Sequence, residues 1–210
     1  FRALGLVGCE PSEGGAGERQ FAGGIGAKKV DVSFATEEDG LILGVSIKSI
    51  GFPDKKTGNY QKNLTNRRGD LLAEATTLHK RFPYAVLGGL FLFEEGAARD
   101  STDRRPSTFQ TAHEYFRAFS NRTGPGNAVE LYEALGIVLY SSGKKPSYEY
   151  FDAGTPSDAV PIDSFFSRLL EKVAERNPDR FRYSAATGTI LTRRTRLEAV
   201  ATDEDEGESQ

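Results

Sequence analysis

The stretch that decides the fold is KKVDVSFATEEDGLILGVSIKSI, residues 28–50. Val30, Val32 and Phe34 alternate with Asp31, Ser33 and Ala35, the period-two pattern of a half-polar strand. Glu37-Glu38-Asp39-Gly40 reads as a turn and Leu41 to Ile50 as a second strand, so an antiparallel hairpin is expected. Pairing Glu37 with Gly40 sets Asp31 opposite Ser46, with Lys48 as the diagonal neighbour; a slip of two residues sets Asp31 opposite Lys48 instead. Because side chains alternate, either register keeps Asp31, Ser46 and Lys48 on one face and Val30, Val32, Val45 and Ile47 on the other.

Working outward, Gly51 to Asn63 is polar and carries the turn signals Pro53-Asp54 and Gly58-Asn59. From Leu64 to Arg81 the pattern is helical, with Leu71, Ala75, Leu78 and Phe82 as the buried stripe. Pro83 ends that helix, and Ala85 to Phe93 reads as a strand buried on both faces. Strand, strand, helix, strand predicts an α/β fold, a mixed β-sheet flanked by helices. Further on, helices are expected over Thr108–Phe119 and Ile162–Arg176, short strands over Gly136–Tyr140 and Tyr148–Phe151, and a hairpin over Phe181–Thr192. Residues 1–27 hold eight of the 23 glycines and read as a flexible connection. One domain is expected over 28–200, with an acidic, disordered tail at 201–210.

Composition removes several function classes. The 210 residues carry 27 Lys+Arg and 30 Asp+Glu, a net charge of −3, and 38% hydrophobic residues including 14 Phe, enough for a core. Without Asp203, Glu204, Asp205, Glu206 and Glu208 the balance is 27 basic against 25 acidic side chains. One Cys excludes a disulfide framework, and one Cys with two His cannot make an ordinary structural zinc site. The glycines lack the Gly-Lys-Ser/Thr ending of a phosphate-binding loop. No apolar run approaches the ~20 residues of a membrane span, and no leader is visible, so a cytoplasmic protein without a membrane partner is expected. Phe1 at the start and the absence of Met lead to the expectation that the natural N-terminus is missing.

The chemistry-bearing residues gather around the hairpin. Asp31 and Lys48 share a face, and the following helix adds Asp70 and Glu74, one turn apart, with Arg67 three residues before Asp70. Two carboxylates at i, i+4 repel on a bare helix by roughly 0.2–0.5 kcal/mol, and a bound cation reverses that sign. Asp31, Asp70 and Glu74, with the main-chain carbonyl of Ile47, are hard oxygen ligands suited to Mg²⁺. Lys48 is placed to orient or deprotonate an attacking water. The same residues also fit two ordinary ion pairs, Asp31–Lys48 across strands and Arg67–Asp70 along the helix. His79 and His113 fall on helices and read as packing or surface histidines. Cys9 has no acid or His near it in sequence, and Ser46 lacks the nearby His that a nucleophile needs.

Asp31 followed by Ser46-Ile47-Lys48 resembles the signature of the PD-(D/E)xK nucleases, and within them the type II restriction endonucleases. The usual Glu-x-Lys is here Ser-x-Lys, similar to a branch in which the following helix supplies the displaced acid shortly after an Arg. Asn66-Arg67-Arg68-Gly69-Asp70 is that stretch. Counting back from Arg81-Phe82-Pro83 favours Asp70 as the displaced acid, with Glu74 second. The likeness spans residues 28–93; Val30 stands where the family often has Pro, and the loop from Gly51 to Asn66 is long for the branch.

The resemblance implies a restriction-endonuclease-like sheet and a Mg²⁺-dependent endonuclease, with Mn²⁺ as a substitute. It also implies cleavage of double-stranded DNA to leave a 5′-phosphate, and a homo-oligomer, dimer or tetramer. Asp31, Asp70, Glu74 and the Ile47 carbonyl would hold metal; Asp31, Ser46, Lys48, Asp70 and Glu74 would form the catalytic set. For DNA contact, Lys55, Lys56, Gln61, Asn63, Asn66, Arg67 and Arg68 fill the loop and helix start beside Tyr60 and Lys62. Arg104 and Arg105, with Arg99, flank a second polar loop. A nuclease-like domain without activity that binds DNA or another subunit is the alternative, because an acid position is occupied by Ser46. A nonspecific defence or repair nuclease is a third reading.

Overall fold

The computed structural model describes residues 1–12, 17–62, 64–155 and 158–193. Ten strands and three α-helices are described: β1 (Arg19–Ala22), β2 (Ala27–Val30), β3 (Val32–Thr36), β4 (Gly40–Ile50), α1 (Leu64–Arg81), β5 (Val86–Glu94), α2 (Thr108–Arg117), β6 (Ala134–Ser141), β7 (Ser147–Asp152), β8 (Ala159–Val160), α3 (Asp163–Arg176), β9 (Phe181–Ser184) and β10 (Thr189–Thr192). Short 3₁₀ turns lie at Arg2–Leu4 and Glu95–Ala98.

A six-stranded mixed sheet runs in the order β3-β4-β5-β6-β7-β8. Its middle strands β4, β5 and β6 are parallel, and β3, β7 and β8 are joined antiparallel. The parallel strands are added in one direction, and right-handed crossovers then place their helices on one face. Leu71, Ala75 and Leu78 of α1 and Phe109, Ala112 and Phe116 of α2 accordingly share one core with Leu87, Phe91 and Ile137 of the sheet. Phe165, Leu169 and Val173 of α3 close the other face with Phe181 and Ile190 of the β9–β10 hairpin. Gly88 lets α3 sit close: a Cβ there would lie 2.6 Å from a Leu169 methyl. Among the described residues no helix is long and apolar enough to cross a membrane.

The hairpin register follows the first of the two expected pairings over Val32↔Val45 to Phe34↔Leu43, and then shifts at a bulge between Phe34 and Ala35. Thr36, not Glu37, therefore faces Gly40, whose φ of +69° closes the turn. The expected alternation fails at Asp31, which separates β2 from β3. Val30 packs into the α1 side while Val32 and Val45 pack into the α3 side, and Ile47 is exposed.

Residues 1–27 are more than a connection. Leu6 and Cys9 are buried in the α3-side core, Glu10 and Ser33 exchange backbone hydrogen bonds of 2.7 and 2.8 Å along the β3 edge, and β1 pairs with β2. Glycine content hid three buried side chains, Leu6, Cys9 and Phe21, and a hairpin. The acidic stretch 201–210 and Asn63 lie outside the described residues.

At the amino ends of the parallel strands, Glu133 is wholly buried just before β6. Its carboxylate accepts from the Leu87 N–H at 2.6 Å and from Arg122 Nη1 at 3.0 Å, and lies 2.7 Å from Arg176 Nη2 and 3.7 Å from His79 Nε2. Arg122 also donates to the Pro83 carbonyl and Arg176 to that of Ala85. Burial by itself raises a carboxyl, but the nearby His79 ring, the Arg176 guanidinium and the Leu87 N–H outweigh it and hold Glu133 below the ordinary range. Removing one partner of such a cluster leaves unpaired buried charge, so Glu133→Ala is expected to lower stability by about 3–5 kcal/mol in urea unfolding. A loss within about 1 kcal/mol, the size of an exposed ion pair, would show that the cluster does not hold these elements together.

Candidate active site

Three elements deliver the cluster seen in the sequence. Near the carboxyl end of β4, Ser46 pairs with Gly89 and Lys48 with Phe91, both on the α1 side of the sheet. The break between β2 and β3 holds Asp31, whose Oδ2 accepts the Ile47 N–H at 2.6 Å, so the carboxylate takes a backbone donor where the β3 ladder has ended. From α1 comes Glu74, beside the buried stripe of Leu71, Ala75 and Leu78. The Lys48 ammonium lies 3.9 Å from Asp31 Oδ2 and 3.7 Å from Glu74 Oε2. Carboxyl ends of parallel strands are the usual place for ligands in open α/β sheets.

The structure separates Glu74 from Asp70. Glu74 is 5% exposed and touches Lys48, whereas Asp70 is exposed and pairs with Arg67 at 3.6 Å. Of the two candidates for the displaced acid, the second choice, Glu74, joins Lys48 and Asp31, and the first choice, Asp70, does not. The physical reason is where α1 overlaps the sheet. Asp70 stands one turn, about 5.4 Å, nearer the start of the helix, where its side chain is exposed beside Arg67, whereas Glu74 meets the Lys48 ammonium. Both acids share a flank, and sequence spacing alone does not say which turn meets the sheet.

Burial drives the Glu74 carboxyl up to about 7; Lys48 pulls it back, the Asp31 charge pushes it up, and Lys28 lowers it again. Lys28 on β2 was therefore missed, its only signal being its place three residues before Asp31. Tyr132 was missed as well. Its buried hydroxyl donates to the Leu71 carbonyl at 2.9 Å, and burial with the Glu74 charge raises its ionisation well above the ordinary range. No periodicity marked it.

Ser46 is buried at 1% exposure and holds no charge for a metal. Among the described residues no group of three or more His, Cys, Asp or Glu side chains converges as a metal cage. The cluster offers two carboxylates and the adjoining Ile47 main chain. That number suits Mg²⁺, commonly held by one or two carboxylates with water and phosphate completing the set.

The expected DNA contacts divide into free and committed groups. Lys55, Lys56, Asn66 and Arg104 are exposed, and Arg67 is exposed but paired with Asp70. Lys62 pairs with Asp54 at 2.7 Å, Gln61 reaches Thr111 on α2, and Arg68 lies 4.6 Å over the Tyr115 ring. Arg105 donates to the Asp100 carbonyl and Arg99 pairs with Glu95. Tyr60 is buried, its N–H on Asp100 and its hydroxyl on Glu94, so it anchors the loop and offers no DNA contact.

The folded state holds the extra proton on Glu74 between the ordinary 4.5 and about 7. Its stabilising contribution is thus complete below pH 4.5 and lost as pH rises through 7. Glu74→Gln removes that ionisation. It should exceed wild type by about 3 kcal/mol in urea unfolding above pH 8, the gap closing toward pH 4.5; a gap that ignores pH contradicts the assignment. Compared with known proteins, the chain matches no family model, no curated protein and no solved structure.

Proposed function

We propose that this chain is a Mg²⁺-dependent DNA endonuclease of the PD-(D/E)xK type, a type II restriction endonuclease hydrolysing phosphodiester bonds at a specific site in double-stranded DNA. The observation that carries the reading is a single lysine held between two carboxylates from different elements, Asp31 and Glu74, at the carboxyl end of a parallel strand. The hairpin that bears Asp31 and Lys48, followed by a helix crossing to a parallel strand, agrees with a restriction-endonuclease-like sheet.

Asp31 and Glu74 would hold Mg²⁺, or Mn²⁺, with the Ile47 carbonyl as a further oxygen donor. Bound there, the ion supplies positive charge to the pentacoordinate phosphorus as negative charge grows. Asp31 is fixed in direction by the Ile47 N–H. Lys48, held by both acids, orients a water toward phosphorus; the water loses a proton to solvent as the new P–O bond forms, the P–O3′ bond breaks, O3′ takes a proton from solvent to become the 3′-hydroxyl, and the 5′-phosphate remains on the other product. Ser46 fills its place without adding a second buried acid beside Glu74.

A second reading has an observation of its own. The neutral Ser46 and the lack of three converging ligands among the described residues favour a domain that binds DNA without cutting it. Metal dependence separates the two. Incubated with mixed plasmid and phage DNA, the protein is expected to give discrete fragments with Mg²⁺ or Mn²⁺ and none with EDTA. Asp31→Ala and Lys48→Ala should each lose cutting by about 10³-fold while remaining folded, and Asp70→Ala should cut within a few-fold of wild type. A metal-dependent smear would indicate a nonspecific nuclease. No cutting, with no metal-induced rise in melting temperature, would leave the binding domain.

A further inference from the structure

Four residues beyond Lys48, the chain leaves β4 and presents Phe52, 86% exposed, at the mouth of a cavity of about 440 Å³. Ile50, Pro53, Asp54, Lys55, Lys56 and Lys62 complete its lining. A lone exposed aromatic is ordinary on a surface. Phe52 differs in standing on a loop held in one shape. Asp54 accepts from the Lys56 N–H at 3.0 Å, the Thr57 N–H at 3.1 Å and the Thr57 hydroxyl at 3.2 Å, and pairs with Lys62 at 2.7 Å. The Asp54 N–H reaches the Asn59 carbonyl at 2.8 Å, closed by Gly58 at φ +66°. At the far end, Tyr60 is buried and tied to both Asp100 and Glu94. The loop is thus braced from within and bolted to the sheet, while its one large apolar side chain faces water.

The charge around that side chain selects its occupant. Residues 51–62 carry three lysines against one aspartate, and among the described residues neither Lys55 nor Lys56 makes an ion pair. A π-face flanked by unpaired ammonium groups suits a nucleobase between phosphates, for bases stack on aromatic rings whatever their sequence. An apolar wedge can also enter a base step of a duplex. At about 3.3 Å per extended residue, Phe52 stands within about 13 Å of Lys48, roughly four base-pair rises.

We infer that Phe52 stacks on a base of the DNA duplex a few steps from the bond that is cut, with Lys55 and Lys56 on the flanking phosphates. This rests on the nuclease reading for the identity of the ligand and adds a contact outside the catalytic cluster. Being preformed, the loop spends little ordering entropy when it binds.

The chain has no tryptophan, so Phe52→Trp places a single reporter on the loop. In EDTA, where cutting does not proceed, this variant is titrated with a short mixed-sequence duplex while binding is followed separately by the anisotropy of a dye on the DNA. Trp emission is expected to fall as the complex forms, and Phe52→Ala to bind about 10–100-fold more weakly. Lys55→Ala with Lys56→Ala should reduce the slope of log K against log salt by about 1.8, and Phe52→Ala should leave that slope alone. Intact binding with unchanged Trp emission, or Phe52→Ala binding like wild type, would overturn stacking and spare the nuclease reading. Quenching by a protein that cuts no DNA with metal would overturn the nuclease reading and spare stacking. No binding of DNA by wild type would overturn both.

Discussion

The rest of the structure depends on one buried carboxylate. Glu133 joins segments far apart in sequence: the end of α1 through His79, the start of β5 through the Leu87 N–H, the end of α3 through Arg176, and the chain after α2 through Arg122. Each interaction has a direction, unlike the apolar contacts around it, and together they leave α1 little freedom to rotate or slide. The helix that carries His79 also carries Glu74, one and a half turns earlier on the same rod. Fixing its C-terminal end fixes which turn faces Lys48. The ion cluster at the amino ends of the parallel strands thereby sets the geometry at their carboxyl ends.

The two buried glutamates are compensated in different ways. Both lose solvation. Glu133 recovers it from two guanidinium groups and a backbone N–H and is held below the ordinary range. Glu74 has the Lys48 ammonium, shared with Asp31, and a weaker pull from Lys28, and it rises to about 7. Its remaining need is for positive charge. A buried acid left short of compensation at the ligand-binding end of a sheet is the pattern that functional sites produce. It is also what a cation brought in with a phosphate would satisfy.

Much of this was legible in the sequence because local periodicity and global packing agree. The bounds of α1 at Leu64 and Arg81, the strand leading to Ile50 and the terminal hairpin follow from spacing and from Pro and Gly punctuation. Ser46 and Lys48 could be put on one face because alternation tolerates a two-residue slip, whereas Asp31 reaches Lys48 from the break between β2 and β3. What stayed hidden is non-local. Leu6 and Cys9 are isolated apolar residues among glycines, and only the tertiary fold shows the surface they cover. The break at Asp31 that sends Val30 to the opposite core has no glycine or proline to announce it. The partners of Glu133 lie on four separate segments and form no motif.

Ser46 connects these levels. It pairs with Gly89, beside Leu71 and Tyr132, in a part of the sheet closed to solvent. A carboxylate there would be a second buried acid beside Glu74, both drawing on the one ammonium of Lys48. Burial that already drives Glu74 up to about 7 would keep one of the two protonated, as happens when like charges share a site. A small neutral residue on the strand and an acid on the helix avoid that conflict and leave Asp31 and Glu74 to share Lys48. With Ser on β4 and Glu on α1, the number of acids around Lys48 stays at two, Asp31 and Glu74.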